Sequence, residues 1–425
     1  MINLLVILFT LAGIRSILLT KNGVENSLNW IILAFVLGYR TFEPFPGLKL
    51  HPIELFIYAC IIRIIISNAV KYRKMSLGIS MLGIFFITYF LIDLLTGYHF
   101  MVLLEFKNSF LLIFIFFITC HLHFSKSYFV RLLKYYLLAA SLISIMGIIE
   151  YQFPSFMSSI FGFQSRPINT PESIFFTRLA FLFWGSHLAA NLIAPVFPIL
   201  ILLKVQKEPL ANKNYIITFL VIINLIAIYL SGNRISWLIL TVLLIATIFQ
   251  YRGSLLPYMK SYAVLVTLTF VAYVYSQPVE GRYISTFKAL TGEIDTRYDS
   301  SGGARMARAL IAIDSIVEKP LGTGWGSQGW VHSDVLQVAA SVGIIPGIIF
   351  LIAPLFLLFR LYRAYLIASI NDKTAFFVCF GLLIFVIISL SLNGNILKVQ
   401  SGAPLFVLWA IADGYLSSYK QLESS

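Results

Sequence analysis

The sequence predicts an all-α integral membrane protein, with about 12–13 transmembrane helices and one large, partly helical loop between two of them. Three observations predict it. Hydrophobic residues make up 59% of the 425 positions and charged residues only 12%, and the mean hydropathy of +0.89 lies far above that of a water-soluble domain. Uninterrupted apolar runs such as 77 to 97, 214 to 231, 234 to 250 and 375 to 392 each supply the roughly 20 residues needed to cross about 30 Å of hydrocarbon. Those runs are apolar on every face, whereas barrel strands alternate in segments of about 10 residues.

The first run, Ile2 to Leu19, has no small-residue cleavage site and is followed by many further spans, so it reads as a retained helix and not a signal peptide. Basic residues mark the cytoplasmic connections. Lys71, Arg73 and Lys74 form one cluster and Lys126, Arg131 and Lys134 a second. Lys204, Lys207 and Lys213 form a third, Arg252 and Lys260 a fourth, and Arg360, Arg363 and Lys373 a fifth. The spans that fit between them lie near 2 to 19, 28 to 41, 53 to 70, 77 to 97, 106 to 123, 132 to 149, 186 to 203, 214 to 231, 234 to 250, 260 to 276, 334 to 359, 375 to 392 and 402 to 418. This alternation closes with a cytoplasmic C-terminus. A short or re-entrant second helix lowers the count to about 12 and moves the N-terminus inside.

Charge and cysteines narrow the function classes. A net charge of +13 would suggest nucleic acid in a soluble protein, but here much of it is topology signal, and no nucleic-acid partner is expected. Cys60, Cys120 and Cys379 lie inside apolar runs, as small buried hydrophobes do, and form neither a disulfide framework nor a metal site. Internal repeats, inverted hydropathy symmetry and low-complexity segments are absent from the sequence, so transporter signatures are weak.

The chain reads as a single polytopic domain, 1–425, with the large loop at 277–333 inserted between spans. Three connections fall on the non-cytoplasmic side: residues 151 to 185, the turn Ser231-Gly232-Asn233-Arg234, and that loop. The loop carries Arg282, Lys288, Arg297, Arg305, Arg308 and Lys319, cations that a positive-inside bias would keep off this side. After Ser300-Ser301-Gly302-Gly303, the run Ala304 to Val317 spaces Met306, Leu310, Ile311, Ile313 and Val317 as an amphipathic helix that ends before Pro320. A folded cap is expected.

Arg305 falls in the first turn of that helix, where the macrodipole disfavours a cation and favours an anion. Free N–H groups reinforced by a guanidinium make a phosphate site, and Arg308 lies one turn further on. The competing role is a solvated arginine paired with Asp295 or Asp299. Arg234, which opens a helix at the outer surface, suits either interfacial snorkelling or anion binding. Arg282, in Glu280-Gly281-Arg282-Tyr283, suits either an anchor or a second phosphate ligand, and Arg178 has the placement of a snorkelling anchor. His332, where the loop meets the next helix, could act as a general base at neutral pH or be an interfacial histidine without special role. His187, beside Asn191, reads as structural. Histidines and carboxylates show no metal-ligand spacing, and the Gly322-Thr323-Gly324-Trp325-Gly326 run lacks the strand and lysine of a nucleotide loop. No cofactor or metal is expected.

In order along the chain, an arginine opens a mid-chain helix, Gly303-Ala304-Arg305 lies in the large outer loop, and His332-Ser333 precedes Gly343 by a nine-residue gap. This order resembles the O-antigen ligase and polymerase family over about residues 140 to 350. Arg234 and Arg305 match the family's two arginine positions, Arg282 is a looser match, and Arg178 through His187 with Asn191 to Pro195 resembles its approach to a central helix. Pro346 and Gly347 depart from the motif's final small residue, and the first 130 residues match only in being helical.

The resemblance implies a GT-C type glycosyltransferase in the bacterial inner membrane, its active site facing the periplasm. It would take a glycan from undecaprenyl pyrophosphate without a metal or a nucleotide sugar. His332 and Arg305 would be the catalytic pair, with Arg234, Arg282, Arg308 and Arg178 holding the pyrophosphate. The acceptor would be a lipid A core sugar for a ligase, or a lipid-linked repeat unit for a polymerase. Membrane lipids and a chain-length regulator are the other expected partners. The same basic residues could instead serve a lipid-linked oligosaccharide flippase, although few charged residues, Arg15, Arg63 and Asp93 among them, fall within the expected spans. A structural subunit that docks a periplasmic protein through the outer loop is a third reading.

Overall fold

The computed structural model describes residues 2–38, 42–45, 48–67, 101–161, 192–208, 213–231, 236–237, 239–242, 302–324, 331, 333–392 and 399–423. The architecture is helical. Near the N-terminus, α1 (Ile2–Leu19) and α2 (Gly23–Leu33) lead through a 3-10 turn, Ala34–Leu37, into a small hairpin, β1 (Phe42–Phe45) and β2 (Leu48–Leu50), and then α3 (Pro52–Ile66). The central part contains α4 (Met101–Cys120), α5 (Lys126–Gln152), α6 (Pro154–Phe161), α7 (Val196–Val205) and α8 (Asn214–Ser231). The C-terminal part comprises α9 (Gly302–Glu318), α10 (Asp334–Val342), α11 (Ile344–Ile367), α12 (Ile370–Leu392) and α13 (Val399–Glu423).

Among the described residues, four helical stretches are long and apolar enough to cross a membrane: Lys126–Gln152, Asn214–Ser231, Ile344–Ile367 and Asp372–Ser391. Each is at least 18 residues long, so each spans at least about 27 Å at 1.5 Å per residue. These helices are apolar nearly all round, so side chains facing neighbouring helices build the core and the rest remain exposed. The core runs through α4 and α13, where Phe116 meets Trp409 edge-on at 5.2 Å and both rings are fully buried. On α5 and α13, Phe129 and Tyr415 lie 4.5 Å apart. Between α5 and α8, Asn224 accepts from Ser144 Oγ at 2.7 Å and donates to the Leu220 carbonyl at 2.6 Å, so its buried amide is bonded on both sides.

Three of the five basic clusters meet at one end of the bundle. Lys126, opening α5, bonds Asp372 in the first turn of α12 at 3.4 Å. Lys134 pairs with Glu208 just beyond α7, and Lys204 donates to Asn214, which opens α8, at 2.7 Å. The Phe124 amide reaches Ser418 Oγ in α13 at 3.1 Å, while Arg360 and Arg363 line a groove with Tyr419. Exposed ion pairs of this kind add little stability; their value is in marking a common end. The clusters at 71–74 and 252–260 lie outside the described residues.

Two expected spans are corrected. The second, 28 to 41, is cut short because the chain leaves the helix at Gly38, whose φ of +57° suits glycine, and enters the hairpin. His51 ties the hairpin's neck. Its Nδ1 accepts from the Ile53 amide at 3.2 Å, so Nε2 carries the proton and donates to the Gly38 carbonyl at 2.8 Å. The span expected at 334 to 359 is two helices, α10 and α11, broken at Gly343.

Burial without a charged partner pushes His51 down from its ordinary 6.5 to about 4. The folded chain keeps the ring neutral while the unfolded chain protonates it near 6.5, so protons favour unfolding between those values. This contribution is complete above pH 6.5 and is lost as the pH falls toward 4. Melting in detergent should show that loss, and His51→Gln should flatten it.

Candidate functional site

The candidate site is built on the corner formed by α9, the turn and bend at 319–324, and α10. Helix α9 forms where expected, bounded by Gly302 and Pro320. Its first turn contains Arg305 and no acidic residue, so nothing in that turn offsets the positive helix end. At 1.5 Å per residue, Arg305 stands about 10 Å and Arg308 about 6 Å along the helix from Ala312.

Ala312 is the contact point. It is buried together with Val331 and Ala340, and Ile316 and Leu336 pack against the three. Small side chains at 312 and 340 let α9 and α10 approach closely, and Val331 fills the junction. Val331 immediately precedes His332 and is held by its backbone, since its amide donates to Gln337 Oε1 at 2.8 Å. On the other flank, Ser333 caps α10 by accepting from the Leu336 amide at 3.3 Å. Asp334, in the first turn, favours the helix dipole. Gln337 is fully buried and also donates to Ser341 Oγ at 3.2 Å. Both neighbours of His332 are therefore fixed by named bonds.

The break at Gly343 is closed by the segment that follows α9. The Thr323 amide and hydroxyl both donate to the Ala340 carbonyl at 3.0 Å, and the Gly324 amide donates to Ser341 O at 2.9 Å. In return, the Ile344 amide donates to Pro320 O at 2.9 Å. Carbonyls that a continuous helix would have used are thus satisfied from outside it. Two glycines permit the approach. Gly322 and Gly343 have φ of +95° and +110°; a Cβ on Gly322 would lie 2.5 Å from Ser341 O, and one on Gly343 would lie 3.0 Å from Pro320 O.

Of the residues singled out in the sequence, Arg305 is placed in α9 by its backbone and Arg308 by an exposed side chain. Arg178, Arg234, Arg282 and His332 lie outside the described residues, as do Arg297 and Lys288. The helix expected over Ala304 to Val317 is present, and its apolar residues Leu310, Ile313 and Val317 are exposed. The buried side is the narrower one around Ala312. Residues missed from the sequence are Gln337 and Ser341, whose signal was polar character inside an otherwise apolar run. The run Gly322-Thr323-Gly324 acts in its described part as a backbone clasp. Among the described residues, no cluster of histidine, cysteine or carboxylate groups could hold a metal ion.

Replacing either clasp glycine by alanine tests this geometry. A side chain at positive φ costs about 1–2 kcal/mol, and the Gly322 substitution adds an overlap with backbone. Gly322→Ala should therefore lower the melting temperature in detergent more than Gly343→Ala.

Compared with known proteins, the chain matches no protein-family model and no curated protein sequence.

Proposed function

We propose that the protein is a metal-independent inverting glycosyltransferase of the O-antigen ligase and polymerase kind, taking a glycan from undecaprenyl pyrophosphate at the periplasmic face of the bacterial inner membrane. The observation that carries this reading is the buried cluster of Ala312, Val331 and Ala340, which gathers the arginine-bearing helix and the residue preceding His332. Support also comes from the gathering of three basic clusters at one end of the bundle. Helix α11 leads from that end, over 24 residues or roughly 36 Å, to the α9–α10 corner. With the basic end cytoplasmic, the corner would face the periplasm, and the short second helix favours about 12 spans for a GT-C type fold.

The reaction assigned to the corner is a single displacement. An acceptor hydroxyl loses its proton to the His332 imidazole as its oxygen attacks the anomeric carbon of the donor. The bond from that carbon to the diphosphate oxygen breaks with both electrons staying on the oxygen, and the sugar inverts. Arg305, with Arg234, Arg282, Arg308 and Arg178, would bind the charge that grows on the departing diphosphate. A proton acceptor and cations at the leaving group are enough for this step.

The test uses purified protein in lipid nanodiscs with undecaprenyl-pyrophosphate-linked repeat units, with and without lipid A core. A ladder formed without core marks a polymerase, and product formed only with core marks a ligase. Arg305→Ala should lower the rate by about a hundredfold or more, His332→Ala by a similar or larger factor, and chelator should leave it unchanged. Normal turnover in a folded His332→Ala protein would remove the general-base role. Lipid-linked glycan crossing the bilayer with no transfer would defeat the enzyme reading altogether.

A further inference from the structure

Helix α9 has three distinct sides. At 100° per residue, Ala312 and Ile316 share the side buried against α10. Asp314, Glu318 and Arg308 occupy an exposed charged side, which also carries one exposed apolar residue, Ile311. Between these sides, Leu310, Ile313 and Val317 repeat at three- and four-residue spacing in one stripe, and each is exposed, Val317 at 76%. Leu321, just past the helix, extends the stripe at 64% exposure. A soluble cap would turn such a stripe inward.

The stripe continues onto a second one. Pro320, beside Leu321, accepts the Ile344 amide at 2.9 Å, and Ile344 opens α11. From there, exposed Ile345, Ile348, Ile352, Leu355 and Phe359 run down α11, a helix long and apolar enough to cross the membrane. The outward apolar face of a spanning helix meets lipid chains. The exposed stripe of α9 therefore begins where the lipid-facing stripe of α11 begins, and a backbone bond joins them. The occupant this continuity selects is the bilayer.

We propose that α9 is an interfacial helix lying on the outer surface of the membrane. Leu310, Ile313, Val317 and Leu321 enter the boundary between headgroups and acyl chains, where amphipathic helices bury their apolar face by about 5–10 Å. The charged side, with Asp314 and Glu318, faces water. Arg308, about 180° around the helix from the stripe at 100° per residue, faces away from the bilayer. This assignment rests on exposure and connectivity and not on the glycosyl-transfer reading, so either can fail alone.

The test places an environment-sensitive fluorophore on single cysteines at Ile313, Val317, Ser315 and Glu318 in the full-length protein. Cys120 is replaced by serine, and Cys60 and Cys379 are retained as buried thiols. The protein is reconstituted into phosphatidylethanolamine and phosphatidylglycerol vesicles. Probes at 313 and 317 should emit at shorter wavelength and be quenched severalfold more by lipids carrying a shallow nitroxide than probes at 315 and 318. Each labelled variant is first shown to elute and melt in detergent as the unlabelled protein does, and one at 313 or 317 that does not is replaced by a cysteine at Leu310. Equal quenching by aqueous iodide at 317 and 318 in folded protein would overturn the proposal. Shielding of 313 and 317 from both iodide and nitroxide lipid would also overturn it, in favour of a protein partner on the stripe.

Discussion

The corner where α9 meets the bundle depends on a set of backbone hydrogen bonds between segment 320–324 and the broken helix pair α10–α11. A helix interrupted beside a membrane leaves carbonyl and amide groups that neither lipid nor a distant side chain can satisfy, at several kcal/mol each. Here the Thr323, Gly324 and Ile344 amides take up the Ala340, Ser341 and Pro320 carbonyls. The contact is backbone to backbone, so only residues without a Cβ fit at 322 and 343. These bonds fix the exit of α9 and the bend of α10 together. Every relation between the arginines of α9 and the His332 flanks depends on them.

Packing around the corner follows from the same close approach. Gly347 on α11 faces Ala339 on α10, where an added Cβ would come within 2.6 Å of the alanine methyl, so two helices joined by a one-residue break lie nearly in contact. Ala312 and Ala340 bring α9 in with equally little side chain. Without a water-driven hydrophobic force between helices in lipid, such small residues give the dispersion contact that holds them. Gln337 adds the polar fastening, spanning from the Val331 amide to Ser341.

Much of this was legible in the sequence, and the gaps have physical causes. Bilayer thickness imposes a length on apolar runs, so α1 and α8 begin and end where hydropathy indicates. The same averaging hides a turn inside a run: 334 to 359 is apolar on average despite Asp334, Gln337 and Ser341, and only Gly343 followed by Pro346 hints that α10 and α11 part. For α9 the spacing revealed an apolar side, while what covers that side depends on neighbours that periodicity cannot specify. The clasp at Gly322 was harder still, because a glycine-rich run looks alike whether it cradles a phosphate or a carbonyl. Arginine and histidine types were readable as candidates for anion binding and proton transfer. Of these, Arg305 and Arg308 fall on described backbone, and the His332 flanks, Val331 and Ser333, are held by bonds that no composition could show.

The orientation of α9 bears on the height at which its cations sit. Its 17 residues span roughly 25 Å. Standing upright from the clasp at Pro320, the helix would lift Arg305 about 20 Å above the corner, counting 1.5 Å for each intervening residue. Lying flat on the bilayer by its apolar stripe, as proposed, it would keep the backbone at 305 and 308 close to the membrane surface. A polyprenyl tail holds the diphosphate of the proposed donor at that same level, because the lipid phase retains the tail and excludes the charge. In the proposed flat placement, the helix positions of Arg305 and Arg308 would lie near the leaving group's height without motion of the protein. The cluster of Ala312, Val331 and Ala340 would keep that height common to the segment flanking His332.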